Sequence, residues 1–249
     1  MEEKELLKNI TYKDFIKILP WNKYGLKWKK RKLSNINKIV IHQSLSDGKI
    51  GSINNYLISA GNHISPSKGC PHICYHIAID LNGDILLCNN FDDITWHVKQ
   101  YNSTAIGICV LGNFNGTGWN KGHEPSQKQI DSINNLLKQL IINFNFKCNQ
   151  IYGHYHFGKP ACPGKTLSNI VENFRKGIVI DFNRLDSIKD IQKALLKLYP
   201  NCLPKYGSDG IYGNETKLAI VKFQKDNKLN ITGYPDEQTR YNLFLKLSV

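Results

Sequence analysis

The chain has 249 residues, 41% of them hydrophobic and 21% charged, a balance that excludes disordered, collagen-like and disulfide-scaffold classes. Its 33 lysines and arginines against 20 acidic residues leave a net charge of +13, which favours a polyanionic partner: nucleic acid, anionic lipid or an anionic cell wall. No apolar run reaches the roughly 18 residues of a membrane span, and the first twenty residues, with Glu2, Glu3 and Glu5, lack the apolar core of a signal peptide.

Residues 1–35 read as a polar, partly helical lead-in closing on the basic run Lys27-Trp28-Lys29-Lys30-Arg31-Lys32. Such a run is a solvated face, a nucleic-acid patch with a stacking Trp, or a contact for an anionic wall polymer. Lys38-Ile39-Val40-Ile41-His42-Gln43-Ser44 then reads as a buried strand delivering His42 at its carboxyl end. Residues 52–60 form a helix expected to be capped by Ser52. The runs 74–80 and 84–88 are two strands joined by Asn82-Gly83, a strong hairpin signal. A polar-aromatic loop at 96–102 leads into an apolar strand at 104–112, and residues 126–143 carry apolar positions at helical spacing.

The short strand Gln150–Tyr152 opens onto the loop Gly153–Gly164, which holds His154, His156, Lys159 and Cys162. His154 and Cys162 are both borderline-soft ligands that irregular chain can bring onto one zinc ion. The alternative at this point is a free buried thiol beside two ordinary loop histidines. A helix follows at 166–176. Alternation of strands and helices argues for an α/β domain with a mixed sheet. Residues 179–185 read as a linker. Beyond them the pattern is helical only, with apolar stripes at 188–198, at Leu218, Ile220, Val221 and Phe223, and at Tyr241, Leu243, Phe244 and Leu247. That predicts a small three-helix bundle. The seven cysteines are an odd number with irregular spacing and do not read as a disulfide framework, although Cys70 and Cys74 could pair or bind metal.

The segments IVIHQS at 39–44, YHIAIDLNGDI at 75–85, WHVKQYNSTAIGICVLGNF at 96–114 and GHYHFGKPACPG at 153–164 together resemble the zinc-dependent N-acetylmuramoyl-L-alanine amidases, the group of amidase-type phage lysozymes and peptidoglycan recognition proteins. The resemblance implies a mixed β-sheet flanked by helices over residues 36–178. It implies Zn2+ held by His42, His154 and Cys162, with Tyr75 as the catalytic tyrosine. His97 and Asn102 would lie on the substrate-binding wall of the cleft. Phage members carry a catalytic lysine two residues before the ligand cysteine. Here that position is Pro160, recognition-protein members have a small hydroxyl residue there, and Lys159 is the candidate replacement. A glutamate general base used by a related group falls at Cys109, so that route is absent. Residues 186–249, through DIQKALLKL and SDGIYGNETKLAIVKFQKDNKLNITGYPDEQT, resemble the three-helix peptidoglycan-binding module of cell-wall hydrolases.

The implied function is hydrolysis of the bond between N-acetylmuramic acid and L-alanine, by a phage or prophage endolysin made in the cytoplasm and acting at the cell wall after release. The implied partners are bacterial peptidoglycan and anionic wall polymers, with no nucleic acid. The alternative is a recognition protein that binds muropeptides without cutting them.

Overall fold

The computed structural model describes residues 3–46, 48–115, 122–176, 185, 187–236, 239, 240, 242, 243 and 246. One compact unit runs to Arg175 and a second begins at Lys176. The first is built on a six-stranded mixed sheet. In chain order its elements are α1 (Glu3–Leu6), β1 (Lys13–Asp14), β2 (Lys38–Gln43), α2 (Ile50–Ile58), β3 (Ile77–Ile79), β4 (Ile85–Leu87), β5 (Ala105–Val110), α3 (Gln127–Phe144), β6 (Ile151–Gly153) and α4 (Lys165–Arg175). The strand order across the sheet is β1-β4-β3-β5-β2-β6.

β5 lies in the middle of the sheet with β2 parallel beside it, and both are buried along nearly their whole length, as their unbroken apolar runs require. β3 and β4 form the expected antiparallel hairpin. Gly83 turns it at φ +84°, and a Cβ there would lie 2.7 Å from the Lys128 carbonyl oxygen, so only glycine fits. On one face of the sheet, Ala78, Leu86 and Cys109 pack beneath Ile53 and Leu57 of α2 and beneath Leu19 and Trp28. α3 packs against β3 and α4 against β6. α3 begins with a capping box in which Ser126 and Gln129 satisfy each other's backbone N–H groups. It ends at Asn145 in the left-handed region, φ +54°.

Three sequence expectations change. α2 starts at Ile50 with Lys49 at its N-cap and no side-chain cap, so Ser52 lies inside the helix. Leu218 is 59% exposed, and Ala219, Ile220 and Phe223 form the buried stripe of that helix instead. In the run 27–32 the four lysines are exposed, as in a solvated face, but Trp28 and Arg31 are not part of it. Trp28 is buried with its indole N–H donated to Asn89 Oδ1, and Arg31 is buried and donates to the carbonyls of Phe91, Asn102 and Ala105. A buried guanidinium holds its place by satisfying several carbonyls at once, which an exposed one does not need. The lead-in as a whole belongs to the first unit. β1 adds a strand parallel to β4, Trp21 stacks on His72 at 4.5 Å, and the Asn22 amide ties together the carbonyls of Ile58, Lys68 and Cys70. Cys70 and Cys74 are free buried thiols.

In the second unit α5 (Ile188–Leu198) and α6 (Asn214–Asp226) pack through Ile191, Leu195, Ile220 and Phe223, joined by Leu185 and Leu243. Helical backbone recurs at Thr239, Arg240, Asn242 and Leu243. Residues 179–184 of the expected linker, and Tyr241, Phe244 and Leu247 of the third stripe, lie outside the described residues. The unit contains a repeat. Gln192 in α5 is buried, accepts from the Gly210 N–H, and donates to Asp209, the Ile211 carbonyl and Thr216. Gln224 in α6 is buried, accepts from the Gly233 N–H, and donates to Thr232, the Tyr234 carbonyl and Thr239. Each glutamine thus clamps the glycine turn that follows its helix, with the partners at the same offsets from the glycine.

Candidate metal centre

Register brings the first two donors together. β2 is parallel to β6 with Ile41 opposite Gly153, so His42 on β2 comes level with His154, the residue just past the end of β6. Neighbours at one level of a sheet project to the same face. Their Nδ1 atoms stand 3.1 Å apart. After His154 the chain makes a short 3-10 turn and reverses at Gly158, φ +83°. The Tyr155 N–H then donates to the Cys162 carbonyl, and the Gln43 side chain donates to the Ala161 carbonyl. Those bonds return Cys162 to the histidines, with its Sγ 4.0 Å from His42 Nδ1.

The three donor atoms lie within 4.8 Å of one another, the one such cluster among the described residues. Zinc bonds of about 2.0–2.1 Å to nitrogen and 2.3 Å to sulfur, in tetrahedral geometry, put such donors about 3.3–3.6 Å apart. The observed 3.1 and 4.0 Å bracket that range. Two imidazoles and a thiol, with a fourth position left for solvent, fit a catalytic zinc ion.

The surroundings favour ligand-ready protonation. Burial, reinforced by His97 and His154, pushes His42 well below the usual imidazole range. Burial, with Lys159 and Lys99 nearby, brings His154 down to about 4. Both rings are therefore neutral at neutral pH and keep a lone pair for a metal. Burial raises the Cys162 thiol to about 11, against the lowering pull of the Gln43 backbone N–H and Lys159, so a bound cation is needed to hold it as thiolate.

Tyr75 lies beside this triangle, its ring 5.2 Å from that of His42. Burial first, and then the Cys109 and Cys162 thiols, push its hydroxyl well above the usual phenol range. It stays a neutral O–H donor. A cleft of about 580 Å³ opens over the site, lined by Tyr75, His97, Asn102, His154 and Lys159 together with His63, Trp96, Lys99 and Phe157. None of its lining residues is a carboxylate, and Cys109, at the level of His42 on the neighbouring strand, is fully buried.

Lys159 is exposed at the cleft and its N–H donates to the His154 carbonyl. The structure gives Asn102 a loop-building part: its Oδ1 accepts from the backbone N–H groups of His97 and Val98. His97 lines the cleft but is 6% exposed, with Nδ1 3.0 Å from His42 Nε2. His76 and His156, the other histidines near these loops, are engaged elsewhere. His76 accepts from the Gly107 N–H, and His156 sits against Glu172 at 3.5 Å.

Sequence reasoning missed two residues here. Gln43 follows a ligand directly and braces the loop of another, which its place in IVIHQS could have suggested. Lys99, a second cation on the cleft, adopts φ +49° and gave no signal.

Residues 32–165 match the profile of the family described as N-acetylmuramoyl-L-alanine amidase, and residues 184–243 that of a putative peptidoglycan binding domain. The chain is similar to the endolysin of Enterobacteria phage K11, 28% identical over 105 residues, covering 42% of this chain and 68% of the relative. It is also similar to peptidoglycan-recognition protein SC1a of Drosophila melanogaster, 26% identical over 157 residues, covering 62% and 82%. The chain spans about two thirds of the length of the phage endolysins it matches, 68% and 64%. Among solved structures, the amidase LysC from Clostridium intestinale URNW superposes with a TM-score of 0.48 at 21% identity, over 61% of this chain and 92% of that one.

Proposed function

The chain belongs to the N-acetylmuramoyl-L-alanine amidase family through residues 32–165, and from that premise we propose that it is a zinc-dependent peptidoglycan hydrolase of the endolysin kind. The bond cut is the amide between the lactyl group of N-acetylmuramic acid and the L-alanine of the stem peptide. The observation that carries the reading is the donor triangle of His42, His154 and Cys162, of which His154 lines an open cleft beside Tyr75.

A bound Zn2+ supplies Lewis acidity toward the scissile carbonyl and lowers the pKa of its water toward neutral. The chain's own groups do the rest. His42 and His154, kept neutral by burial, present lone pairs; Cys162 adds negative charge. Tyr75, held as a neutral phenol, donates a hydrogen bond to the oxygen that gains charge as the carbonyl becomes tetrahedral. Lys159, one place from the family's lysine position, adds a positive charge at the cleft. We assign residues 36–178 to this chemistry and residues 186–249 to wall anchoring. The match of residues 184–243 to a peptidoglycan-binding domain supports that division. No helix among the described residues is long and apolar enough to cross a membrane.

The test is digestion of purified cell walls by the metal-depleted protein with Zn2+ added back. New L-alanine amino termini should appear only with the metal, and no new reducing sugar ends. New reducing ends instead of amino groups would assign the cut to the glycan. Binding with no cleavage at any Zn2+ concentration would make this a recognition protein.

A further inference from the structure

We infer that His97 is a positioning residue for the metal site. It fixes which nitrogen of His42 carries the proton, and its own ring is seated by the missing side chain of Gly107. The inference rests on the zinc reading above and concerns how the chain prepares that site before any substrate arrives.

Three observations carry it. His42 uses both ring nitrogens: Nδ1 faces His154 and Cys162, and Nε2 lies 3.0 Å from His97 Nδ1. The opposite nitrogen of His97, Nε2, faces the carbonyl oxygen of Ala105 at 3.4 Å. A carbonyl can only accept, so in the neutral ring His97 carries its proton on Nε2 and leaves Nδ1 as an acceptor. His42 then donates from Nε2, and its Nδ1 lone pair is turned toward the other two donors. Direction is thereby passed from a fixed backbone carbonyl through two rings to the metal-facing atom.

The third observation is steric. Gly107 lies on β5 on the same sheet face as His42, and a Cβ there would stand 2.7 Å from His97 Cγ and 2.8 Å from its Nδ1. No other residue leaves room for this ring. The Gly107 N–H is itself donated to His76 and the Ala105 carbonyl also accepts from Arg31, so the backbone that seats His97 is pinned on both sides. His97 is 6% exposed, so the ring is held mainly by these contacts and offers little surface to a substrate.

The first measurement needs no variant. In the metal-depleted protein labelled with 15N-histidine, long-range proton–nitrogen correlation should show His42 as the Nε2–H tautomer; an Nδ1–H His42 overturns the inference. The second is Zn2+ affinity by competition with a chromophoric chelator. His97→Leu should weaken Zn2+ binding by about 10- to 100-fold, the usual cost of losing such an outer partner. His97→Asn, which restores an acceptor near the position of Nδ1, should recover most of it.

Equal loss in both variants would reduce His97 to packing, and unchanged affinity in His97→Leu would remove its role altogether. Gly107→Ala, which displaces the ring and leaves every donor in place, should reproduce the loss; full affinity there counts against the seat. Should His97→Leu fail to fold, Gly107→Ala and the wild-type tautomer decide. A wild-type protein that binds no Zn2+ refutes the metal reading, and the tautomer spectrum then judges this inference alone.

Discussion

The roles proposed for Cys162 and Tyr75 lie within one site but are separable, and substitution should separate them. Cys162→Ser removes the softest of the three donors and should lose bound zinc and wall hydrolysis together, read by metal analysis and by release of amino termini. Tyr75→Phe leaves the donor triangle untouched, so zinc should stay. The hydrolysis rate should fall by about 100- to 1000-fold, the effect of one oxyanion donor. A Tyr75→Phe protein that turns over at the wild-type rate would show that the hydroxyl takes no part. Lys159 is exposed and its charge bears on His154 and Cys162. Lys159→Ala should therefore lower kcat more than it raises KM; a change confined to KM would mark it as a substrate contact only.

At the scale of elements, the two glutamine clamps show how a small bundle holds its turns. Gln224 satisfies the Gly233 N–H, the Tyr234 carbonyl and two threonine hydroxyls from a fully buried position. Replacing it with leucine strands those groups away from water, at roughly 1–3 kcal/mol for each one left unpaired. We expect Gln224→Leu to destabilise the second unit by about 3 kcal/mol or more, seen as a lowered melting transition with the zinc affinity of the first unit unchanged. Ser126 offers a milder comparison in the first unit. Its hydroxyl accepts from the Gln129 N–H at the start of α3, so Ser126→Ala should cost about 1 kcal/mol in a urea unfolding titration.

Across the whole molecule, buried histidines set the acid limit. His42, His76, His97 and His154 are all lowered, burial being the first cause in each, with His97 at about 3 and His154 at about 4. In the unfolded chain these rings titrate near 6.5. Between that value and the folded values the unfolded state binds more protons, so stability rises with pH there and falls as pH drops from about 6.5 through about 4. The urea midpoint of the metal-depleted protein should follow that course. A midpoint flat from pH 7 to pH 4 would mean these rings are not held neutral. The lead-in is equally a whole-molecule feature. Deleting residues 1–35 removes Trp28 and Arg31, and with them the indole bond to Asn89 and the guanidinium bonds to the carbonyls of Phe91 and Asn102. That deletion should destabilise the first unit, measured by its melting temperature, even though none of its residues is a ligand.

The amino-acid sequence by itself determined the family, the donor residues that come together and the two long parallel strands. His42, His154 and Cys162 are few in kind and sit in motifs of recognisable order, and β2 and β5 follow from unbroken apolar runs that have no stable place except inside a sheet. It also held the Gln–Gly–Thr repeat of the second unit, legible from the matching offsets though read only once the hydrogen bonds were seen. Other features were decided only by the tertiary structure. The lead-in joins the core because Trp28 and Arg31 find partners some sixty residues away, which no local pattern reports. Ser52 lost its cap because α2 begins two residues earlier. His97, besides lining the cleft, stands behind His42 in room that a glycine on the next strand leaves for its ring. The donor chemistry of a side chain is a property of single residues and survives in a linear reading; the direction of a ring, the seat beneath it and the burial that keeps it neutral exist only once strands lie side by side.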